Sequence, residues 1–350
     1  MTYTLNLNGL IPKFPIIQGG MGVGISLHQL AGHVAAAGGI GIISSAQVGY
    51  REKDFLTHNL IANKRALYNE IIKAKEIAPQ GIIGVNIMVA LKHYKEMVET
   101  AIHAGADLII SGAGLPINLP QFAQHAASKV KLVPVVSSGK AATIICKMWD
   151  RKSQVIPDGL VVEGPLAGGH LGFSLDDLNK NINVIDLVKE VQEAIRPFEE
   201  KYQRSVPVIA AGGIYSGEDV KVALENGCDG VQMATRFVTT YECDAPLAYK
   251  ETYLKVQKDE IDLIKSPVGM PGRAIMNAFI QSPPGNKACY YHCLEKCGIT
   301  TIPYCISNAL IAAANGDVNK ALLFCGANAY KAKRLEHVSD IFNEIKISLS

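Results

Sequence analysis

Residues 206–236, VPVIAAGGIYSGEDVKVALENGCDGVQMATR, decide the fold. The stretch opens with an apolar run from Val206, passes Gly212 and Gly213, and enters a segment with helical spacing. Ser216 stands where it can cap that helix by accepting from an otherwise unpaired N–H. Gly227 stands where the helix should stop, since glycine takes the left-handed conformation of a helix terminus at little cost. A second apolar run begins at Asp229. Both runs are apolar at consecutive positions rather than alternate ones, as in parallel strands buried on both faces.

The same rhythm extends outward through the chain. Apolar runs begin at Pro15, Ile40, Ile82, Asp107, Leu132, Asp158, Val206 and Asp229. Most starts lie roughly 25 residues apart, the spacing of a strand plus a crossover helix. Two longer gaps mark insertions, around residues 50–80 and 173–200. Ser26 and Gln29 form a capping-box pattern ahead of Leu30. Ile185, Val188, Val191 and Ile195 follow a helical stripe, and Gly105 precedes Asp107 as Gly227 precedes Asp229. Eight such units predict an α/β fold, a TIM (β/α)8 barrel, over residues 1–240. A doubly wound sheet should carry G-x-G-x-x-G after its first strand, and no such motif is present. Residues 241–350 break the rhythm and read as a C-terminal helical extension packing on the barrel.

Composition narrows the function. The chain has 350 residues, a formal net charge of +2, 32 glycines and 8 cysteines. Near-neutrality without a basic tract argues against nucleic acid or an anionic membrane surface as partner. No apolar run reaches the roughly 18 residues of a membrane span. The first residues, MTYTLNLNGLIPKFPII, lack the charged and apolar regions of a secretory signal, so a cytoplasmic location and reduced thiols are expected.

In a barrel, chemistry lies at the carboxyl ends of the strands. After the first run come Gln18, Gly19, Gly20 and Met21, a glycine density that lets backbone approach a flat ligand. The third run ends in Asn86, a neutral donor and acceptor suited to the edge of a heteroaromatic ring. The sixth delivers Glu163 and then Gly168, Gly169 and His170. An imidazole titrating near neutrality is suited to moving a proton at carbon, so His170 is the candidate catalytic residue. Glu163 reads as an orienting or structural carboxylate. Gly212 and Gly213 follow the seventh run, and Ala234 and Thr235 the eighth, where barrels commonly hold a phosphate.

These segments carry a resemblance. QGGMGVGIS, NIMVA, EGPLAGGHLG, PVIAAGGI, QMATRF and SPVGMPGRAI, in order from about residue 12 to 280, resemble the FMN-dependent nitronate monooxygenase (2-nitropropane dioxygenase) family. That family is related to the flavin-dependent enoyl-acyl-carrier-protein reductases. The resemblance implies FMN, with its phosphate on Gly212, Gly213, Ala234 and Thr235. It places Gly19, Gly20, Met21 and Asn86 along the isoalloxazine, with Gln18, Gly168 and Gly169 completing the cofactor set. His170 falls on the family's active-site histidine. The implied activity is oxidation of alkyl nitronates or nitroalkanes by O2. The alternative is NAD(P)H-dependent enoyl reduction in fatty-acid synthesis. A purine-nucleotide dehydrogenase-like barrel would need a loop cysteine nucleophile, and Cys243 is poorly placed for that.

The remaining signal is in the tail. Cys289, Cys293 and Cys297 are four residues apart, a spacing that predicts one face of a helix. Cys305 follows after Pro303. C-x3-C-x3-C-x7-C is not a familiar zinc or iron–sulfur pattern. We therefore expect no metal from the sequence and hold these four cysteines as candidate ligands only. A flavin protein using them for metal-based redox chemistry is a second alternative. Tyr290, Tyr291, Tyr304 and the small residues at 309–314 suggest a packed cap or a homo-oligomer contact.

Overall fold

A computed structural model describes residues 3–124, 130–178, 180–283, 289, 291, 293–295, 297 and 302–350. The apolar runs form β1 (Ile16–Gln18), β2 (Ile40–Ser44), β3 (Ile82–Met88), β4 (Leu108–Gly112), β5 (Lys131–Val136) and β6 (Leu160–Glu163). Beyond a short outlying strand, β7 (Gly169–His170), come β8 (Val208–Ala211) and β9 (Gly230–Met233). All the strands except β7 pair in parallel, and β1 pairs with β9 to close the barrel. The predicted TIM barrel is therefore the observed fold.

The consecutive apolar positions divide between two layers because strand side chains alternate faces. Ile17, Ile40, Ile42, Leu108, Ile110, Val133, Val161 and Ile209 fill the barrel interior, together with Leu5 and Leu7 from the preceding segment. Their neighbours Ile16, Ile43, Ile109, Val162 and Val208 face the helices in a larger apolar layer. Burying each branched side chain contributes about 1.5–3 kcal/mol, so the two layers hold the strand ends rigidly in place.

Three of the runs begin with aspartate, and the structure gives the reason. The carboxylates of Asp107, Asp158 and Asp229 accept from the backbone N–H of Ile83, Leu132 and Val208 at 2.9, 2.9 and 2.8 Å. Each thereby satisfies a neighbouring strand's N–H at the rim opposite the catalytic mouth. Ser216 caps the helix Gly217–Glu225 as predicted, in a full capping box with Asp219. Gly105 and Gly227 take φ of +80° and +91° just past their helices. The Ser26–Gln29 box is not formed. Helix His28–Ala36 instead directs the N–H groups of Leu27, Gln29 and Leu30 at the Asp244 carboxylate. Ser26 Oγ accepts from Met21 N at 2.8 Å, which ties down the loop after β1.

The extension is helical in part only. Ile261–Lys265 (β10) and Pro271–Ile275 (β11) form an antiparallel hairpin, and β11 pairs with β7. The hairpin turns at Ser266–Met270. IDLIK alternates weakly and is half-exposed, so its strand period is faint in the sequence. Helix Val338–Ser348 returns to the barrel. Glu344 accepts from Gly217 N at 2.8 Å, and Arg236 pairs with both Glu336 and Glu344. Cys289, Cys293 and Cys297, expected on a helix, are in irregular backbone, and Tyr290 lies outside the described residues. Among the described residues no helix is long and apolar enough to cross a membrane.

Candidate active site

His170 is on a strand, not a free loop. β7 pairs with β11 through His170 and Gly272, and through Gly169 and Arg273. Arg273 reaches past that pair to donate to the carbonyls of Pro165 and Ala167 at 2.6 and 2.7 Å. The loop AGGH is thus held by one guanidinium and one backbone ladder. His170 Nε2 lies 2.7 Å from Ser266 Oγ, and Phe324 meets the ring edge-on at 4.9 Å between centroids. Desolvation pushes the imidazole down to about 4, so it is neutral at physiological pH. Glu163, at the end of β6, is half-buried, and desolvation pushes its carboxyl up to about 8.

Across the mouth, glycines make room. A Cβ on Gly20 would fall 2.4 Å from Asn86 Cβ and 3.1 Å from an Ile42 methyl. Gly20 and Asn86 therefore touch, with Asn86 in register beside the inward-facing Ile110. Gly19 packs on Gln232 and Ala234, 3.3 Å from each by the same measure. Gln232 is in register with Ile17 and Ala211, both inward-facing. Its Oε1 is buried without a hydrogen-bond partner. An orphaned amide oxygen beside a glycine cradle fits a polar planar ligand. Gln18 differs: it is buried, donating to Gly19 O and accepting from Ile42 N at 3.0 Å, so its side chain braces β1 against β2.

Gly212 and Gly213 have φ of +95° and +87°, which favours glycine at both positions. Thr235 opens the short turn after Ala234. The extension joins these two loops. Gly326 N donates to Thr235 Oγ1 at 3.0 Å, and Asn328 Nδ2 donates to Gly213 O at 2.6 Å. Gly168 packs so closely on the backbone at Cys325–Gly326 that a Cβ would come within 2.5 Å. Sequence reasoning missed Ser266, Phe324, Arg273, Gly326, Asn328 and Gln232. SPVGMPGRAI contains Ser266 and Arg273 and QMATRF contains Gln232, but as motifs they assign these three residues no role.

The eight cysteines are all free thiols. Cys243 is buried, donates to Ile25 O at 3.2 Å, and is pushed by burial up to about 12, so it presents no thiolate to the mouth. Burial first, and then the neighbouring Cys289 and Cys305, push the thiols of Cys293 and Cys297 up. Among the described residues no three His, Cys, Asp or Glu side chains already stand around one metal position.

With this geometry in place, a family profile for nitronate monooxygenase matches residues 5–347. The chain belongs to the nitronate monooxygenase family. A probable nitronate monooxygenase of Staphylococcus saprophyticus is 27% identical over 307 residues, covering 80% of this chain and 81% of that one. A (3aS,4S,5R,7aS)-5-hydroxy-7a-methyl-1-oxo-octahydro-1H-indene-4-carboxyl-CoA dehydrogenase of Rhodococcus jostii is 27% identical over 270 residues, covering 77% of this chain. The match spans 65% of that relative's own length. Among solved structures, FabK from Thermotoga maritima has a TM-score of 0.72 at 24% identity, covering 97% of this chain and 93% of its own. Nitroalkane oxidase from Streptomyces ansochromogenes has a TM-score of 0.72 at 21% identity, covering 97% and 96%. These two are likenesses of fold. Membership of the nitronate monooxygenase family makes the protein an oxidoreductase that acts on a small molecule with a flavin.

Proposed function

We propose that the protein oxidises alkyl nitronates, and more slowly neutral nitroalkanes, with FMN as its flavin and O2 as electron acceptor. The observation that carries this reading is the neutral His170 imidazole, fixed by Ser266 at a mouth built of glycine, in a chain of this family. The residues present fit the cofactor. Gly19, Gly20, Met21 and Asn86 would line its ring system, with the orphaned Gln232 oxygen beside them and Gln18 bracing the strand beneath. Gly212, Gly213, Ala234 and Thr235 would take its phosphate, and Gly168 and Gly169 would bound it on the His170 side. FMN supplies the electron-transfer chemistry that no side chain of the chain possesses.

The protein's own part is positioning and proton handling. Nε2 of His170 is engaged by Ser266 Oγ, which leaves Nδ1 for the substrate. In the tautomer in which Nε2–H donates to the serine, Nδ1 carries the free lone pair and is the atom that removes a proton from the nitroalkane carbon. The same ring, once protonated, sits beside the nitronate it has formed. A base whose pKa is depressed to about 4 is a weak one, which is why the preformed anion is the better substrate. Arg273 and the β7–β11 ladder keep the ring from swinging out, and Phe324 excludes water from its edge.

Anaerobic stopped-flow mixing of the flavin-loaded enzyme tests the reading. Bleaching by an alkyl nitronate but not by NADH or NADPH is the expected result. Bleaching by either nicotinamide, with no response to nitronate, replaces it with the enoyl reductase alternative.

A further inference from the structure

Cys289, Cys293, Cys297 and Cys305 take no part in the chemistry above, yet they meet. All four line one pocket, which Pro267 and Val268 also line, and the rest of its wall is apolar. It encloses about 10 Å³, room for about one water molecule. Cys305 is the residue from which helix Ile306–Ala314 starts, whereas the other three come from irregular backbone. That backbone is tied to the barrel by a short ladder: Lys92 N donates to Cys293 O at 3.0 Å and Glu295 N to Ala90 O at 3.1 Å.

Ordinary packing of small thiols does not account for this. Cys146, Cys228, Cys243 and Cys325 show what packing looks like here, since each is buried in the main apolar layer. Cys297 is exposed and Cys289 and Cys293 are half-buried, a poor use of an apolar side chain. Four thiols drawn from residues 289–305 and lining one small pocket are a donor set that suits a soft metal.

We propose that Cys289, Cys293, Cys297 and Cys305 are the thiolate ligands of a thiophilic metal centre, either a zinc ion or an iron–sulfur cluster. The four side chains line the pocket without yet converging on one point, so the centre is assembled as metal is captured, and binding adds to the stability of the segment. The consequence reaches the catalytic mouth. Pro267 and Val268 follow directly on Ser266, the partner of His170, and a centre in this pocket ties the four cysteines against that loop.

The test uses full-length protein purified without oxygen and without chelator. Zinc and iron are measured by mass spectrometry, acid-labile sulfide by assay, and metal release by titration with an organomercurial. Stoichiometric zinc without sulfide identifies the ion; iron with matching sulfide identifies the cluster. In either case release should track titration of four thiols, and Cys293→Ser with Cys297→Ser should abolish binding where Cys228→Ser does not. Release from wild-type protein decides the matter if the double variant fails to fold. The proposal is overturned if the protein stays metal-free after incubation with zinc and after reconstitution with ferrous iron and sulfide. It is equally overturned if metal is present but survives titration of these thiols.

Discussion

His170 Nε2 and Ser266 Oγ lie 2.7 Å apart although 96 residues separate them in the chain. The contact exists because β11 pairs with β7 and turns the hairpin's loop over the imidazole. Ser266 is buried, so the bond is shielded from water and sets the ring's orientation.

Ser266 is accordingly a positioning residue. Ser266→Ala should lower kcat on a neutral nitroalkane by roughly tenfold, about 1.4 kcal/mol, while leaving KM for the matching nitronate nearly unchanged. Ser266→Thr, which keeps the hydroxyl, should recover part of the loss. Equal losses on both substrates would mean that the serine merely supports the fold.

The pH behaviour follows from two half-buried groups with opposite shifts. His170 is neutral down to about 4, so kcat/KM on a nitroalkane should hold level through neutrality and fall only in acid. Its folded pKa lies below the unfolded value of about 6.5. The stability linked to it is complete above that value and is lost as pH falls toward about 4. Glu163 is raised to about 8. Its linked stability is complete below about 4.5 and is lost as pH rises through about 8. Glu163→Gln should therefore raise Tm relative to wild type above about pH 8 and leave the difference small near pH 5. A constant difference across that range would show that folding does not shift the carboxyl's pKa.

The barrel was legible because buried parallel strands must be apolar on consecutive positions, and Val206–Ala211 or Ile40–Ile43 can hardly be read otherwise. The glycine cradle and His170 were legible for a related reason: strand ends are where a barrel presents its residues. The support behind them was not. Ser266, Phe324 and Asn328 reach the mouth from a segment with no βα rhythm, and nothing in their spacing encodes pairing with His170 or Gly213, 96 or more positions earlier. The failed Ser26 cap has the same origin, since the Asp244 carboxylate that replaces it follows β9, the strand beside β1 in space but 217 residues from Leu27 in the chain. The tail cysteines misled through their four-residue spacing, which suggested a helix where tertiary pairing with residues 90–92 prevails.

Gly20 tests the cradle. In Gly20→Ala the new methyl meets Asn86 Cβ and Ile42 in a packed interior, and such overpacking costs about 1–3 kcal/mol. Asn86→Gly in the same chain removes the opposing Cβ. The double variant should regain most of the lost Tm but still purify with little flavin, since the amide beside the ring is gone. Full flavin content in the double variant would remove Asn86 from the cofactor site.

Arg273 tests how firmly the catalytic strand must be held. Its half-buried guanidinium serves the carbonyls of Pro165 and Ala167, two residues in the loop leading to His170. Arg273→Met keeps most of the aliphatic bulk and leaves both carbonyls without their donor. Each orphaned acceptor costs about 1–3 kcal/mol, so urea unfolding should show a loss of about 2–6 kcal/mol. The loosened loop should also lower kcat on both nitronate and nitroalkane, unlike Ser266→Ala, because the whole strand moves rather than one ring. Arg273→Lys, with one compact donor in place of a fork, should fall between the two. A stability loss with unchanged kcat would mean that β11 alone is enough to keep His170 in place.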